Sequence, residues 1–341
     1  MPPSSASSAR TGAWCLLPLA LACQATESDS PRTTLDSIDA PTRFEPLNEP
    51  PCSYCSTQDR KDFVRDDDRA IAWLRASHNG GAIPIRLFLS AARVVNDSYG
   101  MFFYDPDGGY VAAYQAEKGY AYRFHGWLRG AMVVEGTDGT LWHALSGIAI
   151  EGPKKGQKLT RIASLLTDWG YWLMLHPEST TYDLFDGTRY AAKNLPTKLS
   201  SEAQDTMGMV DWRMSPLAEV LGVEVGNETL AVPLARLSER VCIPAEVGGV
   251  SFTVFWYGAT QTAVAFRSEI DGRRLTFFGD PASPETAPFK DKETGTRWTL
   301  AGRAVDGPLK GRELDWLSSI QCRWYAWVAQ YPTTSVHESA P

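Results

Sequence analysis

The hydrophobic and polar positions of this chain alternate over many short stretches, and this pattern predicts mostly β-strands. Runs such as SFTVFWY, TAVAFRSEI and TRWTLAGRAV combine β-branched and aromatic residues, and short stretches rich in small residues separate them. One stretch has a different period. Trp324, Trp327, Val328 and Tyr331 are spaced as one face of a helix, which the following proline ends.

The sequence pattern occurs twice. WHALSGIAIEGPKKGQKL begins at Trp142 and WTLAGRAVDGPLKGREL begins at Trp298, and each contains a Gly-Pro pair followed by another glycine. The helical stretch also has an earlier counterpart, in which Trp172 precedes Trp327 by 155 positions. Looser matches further upstream lie 149 and 152 positions apart. Because all these blocks keep their order, we predict a duplicated module.

We therefore predict a mainly β protein with two similar small domains. Each is expected to be a small sheet or barrel closed by one amphipathic C-terminal helix. The predicted boundaries are a signal peptide in 1–22, a flexible tether in 23–64, a first repeat domain in 65–190, a connector in 191–216 and a second repeat domain in 217–337.

These blocks resemble the bacterial and archaeal family called Domain of Unknown Function 3179. Its members carry a W-x-x-L-x-G-x-A-x-x-G-P-L-x-G block and a helix with the pattern W-x-x-W-x-x-x-H-P-D-T. The resemblance covers residues 69–181 and 218–334. It implies the architecture of the chain, but the family has no established activity from which a function follows.

The chain departs from the family where members have a strand ending in Y-C-P-L-C-G-T. In the first copy, Asp105 and Gly108 replace the two cysteines, and in the second copy Tyr257 replaces the first of them. We expect both places to be turns without chemistry, since Pro, Asp and Gly favour tight turns. The alternative is that Asp105 and Asp107 bind calcium, although the distal glutamate of an EF-hand loop is missing. We predict no metal and no cofactor.

The N-terminus predicts export. Residues 11–23 are uncharged and end in Ala-Leu-Ala-Cys, which resembles a bacterial lipoprotein signal. The resemblance implies cleavage before Cys23 and attachment of lipid to it, on the periplasmic or outer-surface face of a cell-envelope membrane. An ordinary secretory signal cleaved near Ala22 remains the alternative.

The remaining cysteines are expected to form disulfides, because export places them in an oxidising compartment. They are Cys52, Cys55, Cys242 and Cys322. Their connectivity stays open. Cys52 and Cys55 also have the spacing of a zinc or redox pair, which leaves a thiol redox protein as a weaker alternative.

The composition and charge of the chain argue against only a few classes of function. The net charge of −7 and the pI near 5.4 argue against nucleic-acid binding, and no apolar run is long enough for a membrane-spanning helix. We predict a lipid-anchored module that binds a small molecule or a protein partner, in a groove between the copies. The alternative is an enzyme, hydrolytic or metal-assisted, with its site in the first copy. Its candidate residues are Asn96, Asp97, Asp105, His125 and His143.

Overall fold

A computed structural model describes residues 44–51, 64–74, 80–91, 93–183, 196–208, 211–235 and 237–338. We call residues 44–183 the N-terminal half and residues 211–338 the C-terminal half. The described residues all fall within one compact unit. This unit is mainly β, which confirms the predicted fold class at that level.

The N-terminal half forms three sheets. Its strands are β1 (Leu47–Asn48), β2 (Arg69–Leu74), β3 (Gly80–Pro84), β4 (Val94–Asp97), β5 (Gly100–Asp105), β6 (Tyr110–Tyr114), β7 (Tyr122–Leu128), β8 (Ala131–Gly136), β9 (Leu141–His143), β10 (Ala149–Glu151) and β11 (Ser164–Asp168). The sheet orders are β11-β2-β3, β1-β4-β5-β6 and β10-β9-β8-β7. Two short helices are α1 (Ile85–Ala91) and α2 (Trp169–Leu175).

Helix α3 (Ser201–Thr206) lies in the predicted connector, and the C-terminal half follows it. The strands of that half are β12 (Glu219–Val225), β13 (Glu228–Pro233), β14 (Arg240–Val247), β15 (Val250–Tyr257), β16 (Thr262–Arg267), β17 (Glu269–Ile270), β18 (Arg273–Arg274), β19 (Phe277–Gly279), β20 (Phe289–Asp291), β21 (Arg297–Trp298), β22 (Ala304–Asp306), β23 (Ser319–Arg323) and β24 (Ser335–Val336). Helix α4 (Trp324–Gln330) follows β23 directly. The sheet orders are β23-β12-β13-β24, β14-β15-β16, β17-β18 and β19-β20-β21-β22.

None of the sheets within the described ranges closes into a barrel. The barrel form of the predicted domains is therefore wrong. A closed barrel needs enough tilted strands to surround a filled interior, and each of these sheets has four strands or fewer. They bury their apolar faces by packing on one another and on the helices instead.

The hydrophobic core joins the two halves. Phe103 and Tyr114 of the N-terminal half pack in one buried cluster with Trp324 and Trp327 of helix α4. In another cluster, Tyr171 of helix α2 packs with the buried aromatic residues of the C-terminal half. The halves therefore share core residues, and this places the ends of strands β11 and β23 at the junction between them.

The Gly-Pro motif has a structural explanation. Gly152 and Gly307 adopt φ angles of +93° and +92°, a region that favours glycine. A Cβ at either position would lie 2.7 Å from a backbone Cα, that of Thr140 or of Thr296. The most specific block of the sequence pattern therefore specifies a tight turn.

The two described cysteines are free thiols. Cys242 on β14 packs against the cluster of the C-terminal half, whereas Cys322 on β23 lies in the cluster shared with the N-terminal half. A disulfide between these two, one of the pairings left open above, is not formed. Burial raises the pKa of both thiols, so they stay protonated and unreactive. Cys23, Cys52 and Cys55 lie outside the described residues.

Among the helices that the structure describes, none is both long and apolar enough to cross a bilayer.

Candidate functional site

A cleft lies where a turn of the N-terminal half meets strand β23 of the C-terminal half. Its cavity measures about 530 Å³, a size typical of small-molecule sites. Both halves line it. The polar lining includes Arg69, Glu219, Gln321 and Arg323, and the apolar lining includes Ile85, Tyr104, Leu166 and Leu217.

The turn on the N-terminal side connects β5 to β6. The Oδ1 atom of Asp105 accepts hydrogen bonds from the backbone N–H groups of Asp107 and Gly108, both at 3.0 Å. Asp105 and Tyr110 are paired across the two strands, and Gly109 takes a φ of +67°. Aspartate, proline and glycine are therefore used here for the turn itself.

The carboxylate of Asp107 is occupied by protein groups. It accepts a hydrogen bond from the Ser200 backbone N–H at 2.6 Å and another from the Ser200 hydroxyl at 2.7 Å. The Ser200 hydroxyl oxygen in turn accepts the Ala203 N–H at 3.2 Å and so caps helix α3. Asp107 thus fixes the start of α3 against the turn.

Arg323 attaches the C-terminal half to this turn. Its Nη1 donates to the backbone oxygen of Asp107 and its Nη2 to that of Pro196, both at 2.8 Å. Its own backbone N–H donates to the oxygen of Gly108 at 2.8 Å. Three hydrogen bonds from one residue therefore hold the cleft wall in place.

Arg69 makes the reciprocal attachment, from the N-terminal half to the loop after β15. Its guanidinium donates to the backbone oxygens of Thr260 and Gln261, the latter at 3.0 Å, and to that of Leu166 at 3.2 Å. Its Nη1 also lies 3.0 Å from Oδ1 of Asp168, its partner across strands β2 and β11. This cross-strand ion pair is closed.

The C-terminal half has a similar cross-strand pair of opposite charges, but the acidic and basic residues are exchanged between the strands and no ion pair is formed. Glu219 and Arg323 are cross-strand partners on β12 and β23. No ion pair joins them or involves either one among the described residues. The carboxylate of Glu219 receives only a weak contact from Gln321 Nε2, at 3.5 Å. Both charged groups line the cavity, Glu219 exposed and Arg323 half-buried, so the cavity wall contains an anion and a cation that are not paired with each other.

A buried polar cluster adjoins the cleft at Tyr110 and Cys322, which also line it. The hydroxyls of Tyr110 and Tyr325 have no hydrogen-bond partner in the described part of the chain. Oδ2 of Asp105 makes no hydrogen bond of normal geometry, although the Met132 amide is close enough to favour the ionised carboxylate. Burial raises the pKa of Asp105 to about 6, opposed mainly by the Gly108 amide.

Asn96 and Asp97 lie at the opposite end of the β4–β5 hairpin from Asp105. The Asn96 amide bonds to Tyr122, accepting its N–H at 2.9 Å and donating to its oxygen at 2.8 Å. Asp97 accepts the Ser98 hydroxyl at 3.2 Å and the hydroxyl of Tyr182. Both side chains therefore hold loops and strands together.

His125 and His143 lie on one sheet, with strand β8 between them. Nδ1 of His125 lies 3.1 Å from Oε2 of Glu135. His143 is paired across the strands with Val133. Burial, together with the nearby Arg129, lowers the pKa of His143 to about 4, so this ring is neutral at pH 7.

The five residues predicted for an enzyme site are therefore spread over two sheets, and their side chains form no hydrogen bond with one another. None of them lines the cleft. Nor do the described residues contain a group of three or more His, Cys, Asp or Glu side chains that could hold a metal ion.

Sequence reasoning missed the residues that do line the cleft. Arg69 and Asp168 precede Glu219 and Arg323 by 150 and 155 positions, and each pair is matched across neighbouring strands, with the charges exchanged. The strand pairing is what makes this correspondence visible, because the two spacings differ.

The chain is thus a β-rich unit in which short helices follow strands β11 and β23 directly, with a cleft between its two halves. A family profile described as "Protein of unknown function (DUF3179)" matches residues 54–334. The chain belongs to this family. Comparisons with curated proteins and with solved structures find no match.

Proposed function

We propose that this protein binds a small molecule in the cleft between its halves and performs no chemistry on it. The open pair of Glu219 and Arg323 carries this proposal. Charged groups that face each other across neighbouring strands gain from pairing, as Arg69 and Asp168 do at 3.0 Å. Glu219 is exposed and Arg323 is half-buried. These charges, left apart at the wall of a cavity of about 530 Å³, are open to a ligand that supplies their partners.

Catalysis has less support. An enzyme site needs several polar groups within hydrogen-bond reach of one reacting atom. Asn96 and Asp97 bond to neighbouring strands and loops, and His125 bonds to Glu135. One carboxylate oxygen of Asp105 accepts hydrogen bonds from the backbone of its own turn. A binding function does not require these residues to converge on one reacting atom, so it agrees better with their separate positions.

We also propose that the two halves arose by duplication. Three sheet orders of the N-terminal half have counterparts in the C-terminal half. Isolated bridges support the same correspondence. Ile148 bridges Lys158, and Arg303 bridges Glu313, each 155 positions further on. On this proposal the cleft lies between two copies of one module.

We propose further that the protein is exported and anchored by lipid on Cys23, at a periplasmic or outer-surface membrane face. The uncharged stretch that ends in Ala-Leu-Ala-Cys supports this. Labelled palmitate should be incorporated into the wild-type chain and not into Cys23→Ala. Equal labelling of both would exclude the anchor.

The binding proposal is tested by filling the cleft. Leu217 lines it and is 40% exposed, so Leu217→Trp should occupy the cavity without disturbing the core. Val305 is similarly exposed but does not line the cleft, which makes Val305→Trp the matched control. Saturation-transfer NMR with a small-molecule library should find ligands for the wild type and Val305→Trp that Leu217→Trp no longer binds. If every ligand binds all three proteins equally, the cleft is not the site.

A further inference from the structure

Accepting the proposed binding function, we infer the chemical class of its ligand. We propose that the cleft binds an apolar molecule that carries both a free ammonium and a free carboxylate group, as an apolar amino acid or short peptide does. The juxtaposition of an unpaired guanidinium, an unpaired carboxylate and an apolar wall in one cavity points to this class.

Arg323 provides the site for the ligand carboxylate. A guanidinium has five N–H donors, and only two of those on Arg323 are used, by the backbone oxygens of Asp107 and Pro196. No carboxylate of the described residues forms an ion pair with it. Because those two hydrogen bonds fix the guanidinium in place, its remaining donors are oriented before a ligand arrives. A carboxylate is the group that such a fork binds best.

Glu219 provides the site for the ligand ammonium. Its carboxylate can accept about four hydrogen bonds, and only the weak 3.5 Å contact from Gln321 uses that capacity. Arg69, the other cation that lines the cleft, is favoured in its charged form by Glu219 but forms no ion pair with it. Its guanidinium is engaged by Asp168 and by three backbone oxygens.

One ligand must be able to reach both charged groups. Glu219 and Arg323 are cross-strand partners, whose Cα atoms lie about 5 Å apart, and no ion pair joins their side chains among the described residues. The ends of an extended dipeptide are roughly 6–7 Å apart, so short peptides are the probes that can extend from one group to the other.

The rest of the lining favours an apolar body. Ile85, Leu166 and Leu217 supply apolar surface. Tyr110 also lines the cavity, but its hydroxyl is buried and therefore adds no polar contact for a ligand.

Calorimetric titration of the purified full-length chain tests the ligand class with four probes. They are leucyl-leucine, its N-acetyl form, its C-terminal amide and the doubly blocked form. We expect leucyl-leucine to bind, each single block to weaken binding about tenfold or more, and the double block to abolish it. Losing a charge-assisted hydrogen bond typically costs that much affinity.

The variant Glu219→Gln tests whether Glu219 binds the ammonium group of the ligand. It should weaken leucyl-leucine binding about tenfold and leave binding of the N-acetyl form unchanged, because that form has no ammonium group to lose. Equal affinity for all four probes, no binding of leucyl-leucine, or an equal effect of Glu219→Gln on both probes would overturn the ligand class. The cleft itself is judged separately, since Leu217→Trp removes any ligand of the cleft whatever its charge.

Discussion

Arg323 and Asp107, which are 216 positions apart in the sequence, are joined by a 2.8 Å hydrogen bond from the guanidinium Nη1 to the backbone oxygen. This bond links the last strand before helix α4 to a turn of the N-terminal half. Arg69 makes the reciprocal attachment to Thr260 and Gln261. Each half thus contributes an arginine to hold a loop of the other, and the cleft lies between these attachments.

The attachment by Arg69 should matter for stability. Arg69→Gln removes the ion pair with Asp168 and leaves backbone oxygens at the junction without a donor, so we expect a loss of about 3 kcal/mol of unfolding free energy. Urea denaturation measures it. Arg297→Gln is the control, because its ion pair with Asp306 is exposed and should change stability by less than about 0.5 kcal/mol. Equal effects of both substitutions would contradict the role of Arg69.

Trp298 and Trp327, each of which has a counterpart in the first copy of the sequence pattern, should be core residues. Trp298 is fully buried and Trp327 is 1% exposed, so Trp298→Ala and Trp327→Ala should each cost about 3–5 kcal/mol. Each also loses an indole hydrogen bond, to Asp291 at 2.9 Å and to Thr334 at 3.0 Å. Trp212 is 80% exposed, and Trp212→Ala should change stability by less than about 0.5 kcal/mol. A loss of less than about 1 kcal/mol of unfolding free energy on substituting either buried tryptophan would contradict its place in the core.

The buried carboxyl of Asp105 should make stability depend on pH. Burial raises its pKa from 3.8 to about 6, so the folded state holds this proton more tightly than the unfolded state. Its contribution to stability is therefore present below pH 4 and lost as the pH rises through 6. Between pH 3 and pH 8, the stability difference should shift in favour of Asp105→Asn by about 3 kcal/mol. Urea denaturation at several pH values measures this shift, and a constant difference would contradict it.

The turn around Asp105 should bind no calcium. Asp107 already accepts two hydrogen bonds from Ser200, and Asp105 Oδ1 accepts two from backbone amides. Few carboxylate oxygens remain for an ion that requires six to eight oxygen ligands. Calorimetric titration with calcium should give no heat of binding. Micromolar binding that disappears in Asp105→Ala/Asp107→Ala would show that the turn is a metal site after all.

The mainly β class followed from the sequence because alternating apolar residues report strands directly. The apolar residues around Trp327 have the spacing of one face of a helix, and helix α4 lies there. The barrel did not follow, since closure depends on how strand edges meet in space. The cleft was missed for a similar reason. Glu219 and Arg323 are 104 positions apart, and only strand pairing places them opposite each other.

A crystallographic fragment screen would show where small molecules bind this protein. Crystals of the protein are soaked with a library of small fragments, and the positions of the bound fragments are mapped. We expect fragments to collect in the cleft between Glu219 and Arg323, with carboxylates on Arg323 and amines on Glu219. Fragments that bind elsewhere while this cleft stays empty would contradict this expectation.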